Sequence, residues 1–158
     1  MNGNPNTLQI ELAVVNYFNP RMNIIVPNIW WGIGLKYEAD LVVLRPSGFA
    51  IEIEIKTTAS DIIADTKKSH RHDSDWFKEL WFAIPENLSQ NLHIPERAGI
   101  LLIKNHKNGY YAKAMRPPRI NKMAKKWPSE KREKLMQLGI MRIWGLKQTL
   151  CDKIMEKK

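Results

Sequence analysis

Apolar positions along the chain follow two periods, and the change from one to the other divides it into elements. Residues 7 to 18, TLQIELAVVNYF, place Leu8, Leu12 and Val15 on one helical stripe, which Ile10, Val14 and Phe18 widen. Asn6 or Thr7 caps this predicted helix and Asn19-Pro20 ends it. Residues 24 to 35, IIVPNIWWGIGL, read as extended, with Pro27 marking an edge position or a bulge. Residues 38 to 44, EADLVVL, form a strand, Arg45 to Gly48 a turn, and residues 49 to 57 a second strand with strict alternation. Connections this short predict an antiparallel meander.

From Thr58 to about His70 the period becomes helical, with Thr58 as N-cap and Asp61 at the third position. Residues 79 to 84, ELWFAI, return to a strand, stopped by Pro85. Strand, helix, strand in that order predicts a right-handed crossover and parallel pairing. Residues 98 to 104 make another strand and residues 109 to 115 return antiparallel to it, before Pro117-Pro118 breaks the chain. From Ser129, taken as N-cap, to Leu150 the chain is helical, weakened at Gly139 and Gly145 by about 1 kcal/mol each relative to Ala. The expected fold is α/β, a mixed central β-sheet flanked by helices. One domain spans residues 1 to 158, with a core at about 7 to 116 and a basic helical region at about 117 to 158.

Composition adds a partner class. The chain is long enough to bury a core, 44% of its 158 residues are hydrophobic, and no stretch suits a membrane span or a secretory leader. Cys151 is the only cysteine, which excludes an intramolecular disulfide and fits a cytoplasmic setting. Residues 104 to 134 hold eleven Lys and Arg against two acids, a surplus equal to the whole net charge of +9. A basic half beside a balanced one predicts a polyanion partner, DNA being the simplest. Arg116, Arg119, Lys122, Lys125 and Lys126 are the candidate backbone contacts, and no phosphate-cradling glycine loop points to a nucleotide-driven enzyme.

Chemistry concentrates in AIEIEIKTT, residues 50 to 58. Alternation sends Ile51, Ile53 and Ile55 to one face and Ala50, Glu52, Glu54 and Lys56 to the other. On a solvent-facing strand these charges would only pair with lysines on neighbouring strands. Asp40 changes that picture. In a hairpin folded at Pro46 to Gly48, it lands near Glu54 and Lys56, with Glu52 nearer the turn. Two converging carboxylates suit Mg²⁺, with Mn²⁺ as a substitute, and Lys56 is placed to position or deprotonate an attacking water. Glu11 is a candidate further ligand if the first helix packs over this face, and Glu52 is the alternative if the strand register slips.

This constellation resembles the PD-(D/E)XK nuclease superfamily: Glu11 on the opening helix, Glu38-Ala39-Asp40 in place of Pro-Asp, then Glu54-Ile55-Lys56. The α-β-β-β-α-β order is also similar to that superfamily's restriction-endonuclease-like core. The resemblance implies Asp40, Glu54 and the backbone carbonyl of Ile55 as metal ligands. More specifically, residues 38 to 88 look like MmcB-related DNA repair proteins: Asp61, Asp65 and Lys67 fall at an Asp-x-x-x-Asp-x-Lys helix, and Phe82-Ala83-Ile84-Pro85 at an aromatic strand end. Ile94 to Ile100 and the basic C-terminal helix extend the likeness. Lys67, Lys68, His70 and Arg71 follow the motif and are candidate phosphate contacts.

The resulting expectation is a metal-dependent DNA endonuclease acting in repair or recombination. Its rivals are a catalytically inactive DNA-binding module of the same fold serving a repair complex, and an RNA-directed or protein-partnered subunit. A homodimer and repair-protein partners are compatible with either, but no sequence feature specifies an interface. Among the tryptophans, Trp81 is expected in the core, one of Trp30 and Trp31 at the surface, and most of the rest buried.

Overall fold

A computed structural model describes residues 4–66, 74–90 and 93–156. Helix α1 (Thr7–Tyr17) opens with a reciprocal cap, Asn6 Oδ1 accepting from Gln9 N and Gln9 Oε1 accepting from Asn6 N, each at 2.9 Å. Six strands follow: β1 (Ile24–Ile29), β2 (Ala39–Leu44), β3 (Ala50–Ile55), β4 (Phe77–Pro85), β5 (Gly99–His106) and β6 (Gly109–Arg116). Helix α2 (Ala59–Thr66) lies between β3 and β4, and α3 (Ser129–Met155) closes the described chain.

The strands form one sheet in sequence order. β1 to β3 are an antiparallel meander, β3 to β5 run parallel, and β6 returns antiparallel. The expected mixed sheet and its crossover are therefore present. The turn between β2 and β3 closes through Gly48 N donating to Arg45 O at 2.9 Å, with Gly48 at φ 87°, a conformation that penalises any Cβ.

Alternation builds two different faces. Ile51 and Ile53 join Leu41, Val43, Ala83, Leu101 and Ile103 beneath Ile10, Ala13, Val14 and Phe18 of α1. The opposite face carries two apolar clusters. One is closed by Leu135 and Leu138 of α3 and by Trp127. The other includes Ile62 of α2 packed with Leu80, Phe82 and Ile84. The charged row of β3 shares this second face.

Several boundaries differ from the sequence expectation. The segment from 24 is a strand only to Ile29, because Asn28, Gly32 and Gly34 take positive φ and turn the chain. Trp30 and Trp31 consequently both point outward, at 56% and 40% exposure. Of the others, Trp81 and Trp127 are buried, Trp76 is half-buried and Trp144 is exposed. Ser129 is the first residue of α3, and Pro128 occupies the cap without a side-chain bond. The helix runs five residues past Leu150.

Candidate active site and its charged network

β2 and β3 pair from Leu44–Ala50 to Leu41–Ile53, and the ladder stops there. Beyond it, the Asp40 carboxylate takes over the next rung: Ile55 N donates to Asp40 Oδ2 at 2.7 Å. Asp40 is thus fixed in the gap between two strand ends, half-buried, and within electrostatic reach of both Lys56 and Glu11.

Glu54 and Lys56 lie on the same side of β3. Lys56 Nζ donates to Glu54 Oε2 at 2.7 Å and stands 3.1 Å from Asp65 Oδ1, which α2 brings over this face. Glu54 and Asp65 are almost wholly buried, and Lys56 is only 7% exposed. Burial alone would lower the Lys56 pKa, but Glu54, Asp65 and Asp40 outweigh it and hold it above the ordinary lysine value. The ammonium is therefore protonated at neutral pH. Its ring neighbour is Phe82, 5.9 Å away.

Glu52 sits deeper in the strand, fully buried opposite Val42, and its carboxylate accepts Tyr37 OH at 2.9 Å. Burial and the Glu52 charge push the Tyr37 phenol far above its ordinary pKa, so it stays a donor. Arg97 is close enough to oppose that shift. Arg97 also lines a surface groove of about 440 Å³ with Arg119, Asn121 and Asp75.

α1 packs on the isoleucine face, so Glu11 does not cover the acid face as the sequence reading required for it to act as a ligand. The side of α1 that packs there is Ile10, Ala13, Val14 and Phe18, whereas Leu8 and Leu12 of the expected stripe stay 61% and 55% exposed, because the sheet receives the other flank of the helix. Glu11 nonetheless reaches the sheet end, where burial and the Asp40 carboxylate raise its pKa.

The predicted cations are dispersed. Lys67, Lys68, His70 and Arg71 lie outside the described residues. Arg116 is committed to the fold, its guanidinium donating to Ala98 O at 3.0 Å and Pro95 O at 2.8 Å. Arg119 is exposed and pairs with Glu96 at 3.2 Å. Lys122 is exposed, and Lys125 faces Asp75 at 3.8 Å. Lys126 flanks Phe49 and Gly48 at the hairpin turn, about 20 Å along β3 from Glu54 at 3.3 Å per residue.

Two network members, Asp65 and Tyr37, had no assigned role in the sequence reading. Asp65 was visible only as a position in a motif, and Tyr37 lies in a segment with no periodic signal. Among the described residues no group of three Asp, Glu, His or Cys stands close enough to hold a metal ion. The available donors are Asp40 and Glu54 with the β3 backbone between them. No described helix is long and apolar enough to cross a membrane.

Fold and site together define an open mixed α/β sheet with an acid–acid–lysine network at one end of two adjoining strands. The chain belongs to the MmcB-like family of DNA repair proteins, whose model matches residues 5–147. Among solved structures it is similar to the SPO1766 protein of unknown function from Silicibacter pomeroyi. That match has a TM-score of 0.65 and 19% identity over 97% of this chain and 95% of the other, and it speaks for the fold alone. No curated protein matches the chain.

Proposed function

We propose that the chain is a metal-dependent DNA nuclease of the PD-(D/E)XK type, hydrolysing phosphodiester bonds in repair. The observation that carries this reading is the meeting of Asp40, Glu54 and Lys56 at one sheet end, with Lys56 buried among carboxylates. Mg²⁺ commonly takes one or two carboxylates and fills its shell with water and substrate phosphate, and Asp40 with Glu54 fits that need. The Ile55 carbonyl is the natural third donor, while Glu52 is held by Tyr37 and Glu11 acts on Asp40 through its charge. When bound, the ion supplies a more acidic water and charge compensation on the phosphate.

Within this scheme Lys56 is a positioning cation. Held protonated by Glu54, Asp65 and Asp40, it donates hydrogen bonds in this arrangement. Glu52, locked by Tyr37, sets the depth of the acid row and is the poorer ligand. Arg119, Lys122, Lys125 and Lys126 supply sequence-independent attraction to the DNA backbone.

A second reading, an inactive DNA-binding member of a repair complex, draws on the closed Glu54–Lys56–Asp65 contacts, which occupy a carboxylate the metal would need. One experiment separates them. Labelled duplex, branched and single-stranded DNA is incubated with the wild type, Asp40→Asn and Lys56→Ala, with and without Mn²⁺. Cleavage confined to the wild type with metal supports the nuclease. Binding by all three proteins with no product supports the inactive module, and equal product from all three removes the proposed site.

A further inference from the structure

We infer that the outer half of α3 is a self-association surface, pairing with the same helix of a second copy of this chain. From Ile143 to Glu156 every residue is exposed. That is a helical extension of about 21 Å with no buried residue. Isolated helices of this length are marginal in water, and Gly145, which has open space around it, weakens this one further.

The exposed side chains are nevertheless those of a seam. Met136, Ile140, Ile143, Lys147, Leu150 and Ile154 recur at alternating spacings of four and three, the pattern of a helix that packs along another helix. This stripe is separate from Leu135 and Leu138, which bury against the sheet roughly a third of a turn away. With Trp144 and Leu146 flanking it, its apolar members are 41% to 69% exposed. They offer on the order of 800 Å² per copy, about what one partner contributes to a stable interface.

The surface is self-complementary. Beside the ridge runs an apolar groove of about 390 Å³, walled by Ile24, Val26 and Pro27 of β1 and by α3 itself. β1 is an edge strand, paired only with β2. A two-fold axis lets each ridge enter the other copy's groove, which is the form of an isologous dimer. Lys147, whose ammonium lies 5.0 Å from its own Trp144 ring, sets the direction. A parallel pair would face Lys147 with its own copy. An antiparallel pair separates the two.

The inference is independent of catalysis, and its test uses neither DNA nor metal. Sedimentation velocity of the full chain should give a mass that rises between 1 and 100 µM toward twice the 18.4 kDa of one chain. The variant Ile143→Asp with Leu150→Asp changes only exposed positions. It should keep the wild-type melting of the sheet while weakening association about 100-fold or more. Amide exchange should show residues 143–156 protected in the wild type at high concentration and unprotected on dilution. A wild type that stays monomeric at 100 µM overturns the proposal. So does a dimer indifferent to the double variant, or a monomer whose residues 143–156 gain protection only on anionic lipid vesicles.

Discussion

Replacing Lys56 by Met tests the charged network directly. The substitution keeps most of the side-chain volume and removes the cation held 2.7 Å from Glu54 and 3.1 Å from Asp65. Breaking a buried ion pair by deleting one partner costs about 3 kcal/mol or more, because the other charge stays desolvated. At 158 residues that corresponds to a melting temperature lower by roughly 6–12 °C. The pH dependence gives the sign. Lys56 has a raised folded pKa, so its stabilisation is complete below the unfolded lysine pKa and declines only as pH rises through the higher folded value. Between pH 5 and 8 its own contribution is therefore flat. In Lys56→Met the buried carboxylates have lost that cation and take up protons as pH falls. The stability deficit should then be largest near pH 8 and shrink toward pH 5. Urea unfolding of both proteins at several pH values measures this. Adding Glu54→Gln to Lys56→Met should recover part of the loss, with a coupling of about 0.5–3 kcal/mol between the two sites. A deficit under about 1 kcal/mol, or one constant with pH, would refute the claim that this network is a tightly coupled buried set.

Two other substitutions probe the same face from its edges. Tyr37→Phe removes the hydroxyl that donates to fully buried Glu52, and should cost about 1.5–3 kcal/mol in urea unfolding, as for other hydrogen bonds to charged groups. Glu11→Gln should raise the melting temperature at pH 7 and lose that advantage near pH 4. The native carboxyl has a raised pKa from burial and Asp40, so it favours the folded state only when protonated and works against it once ionised.

The part of this site set by short-range geometry was readable in the chain. A strand ending in Lys56, joined to the strand of Asp40 by a four-residue turn, allows only a narrow choice of register, and alternation then fixes which side chains share a face. The burial of that face was not readable. Glu52-x-Glu54-x-Lys56 has the pattern of a solvated strand. It becomes an interior row only because α2 and α3 close over its flanks, and those are long-range packing events with no local signature. The packing of α1 was hidden for a similar reason: apolar residues lie all round this helix, so the sequence settled neither which flank is buried, Ile10, Ala13 and Val14 rather than Leu8 and Leu12, nor which face of the sheet receives it. Cations in a basic run also look alike in sequence. Arg116 turned out to satisfy backbone carbonyls, while Lys126 went to the hairpin turn.

The separation of charge along β3 constrains how a nucleic acid would lie on this face. Lys78 and Lys126 crowd Phe49 at the hairpin end, with Nζ atoms 3.8 Å and 5.6 Å from the ring, while the carboxylates stand at the other end of the strand. About 20 Å of strand between them corresponds to roughly half a turn of duplex, taking a full turn as about 34 Å. On the nuclease reading, the phosphate drawn to the hairpin end is thus not the one that meets Asp40. It lies several base pairs away, and the basic end supplies grip on the backbone while the acid end performs the reaction. Charge reversal at Lys126 should accordingly weaken binding and its salt dependence without changing which bond is cut.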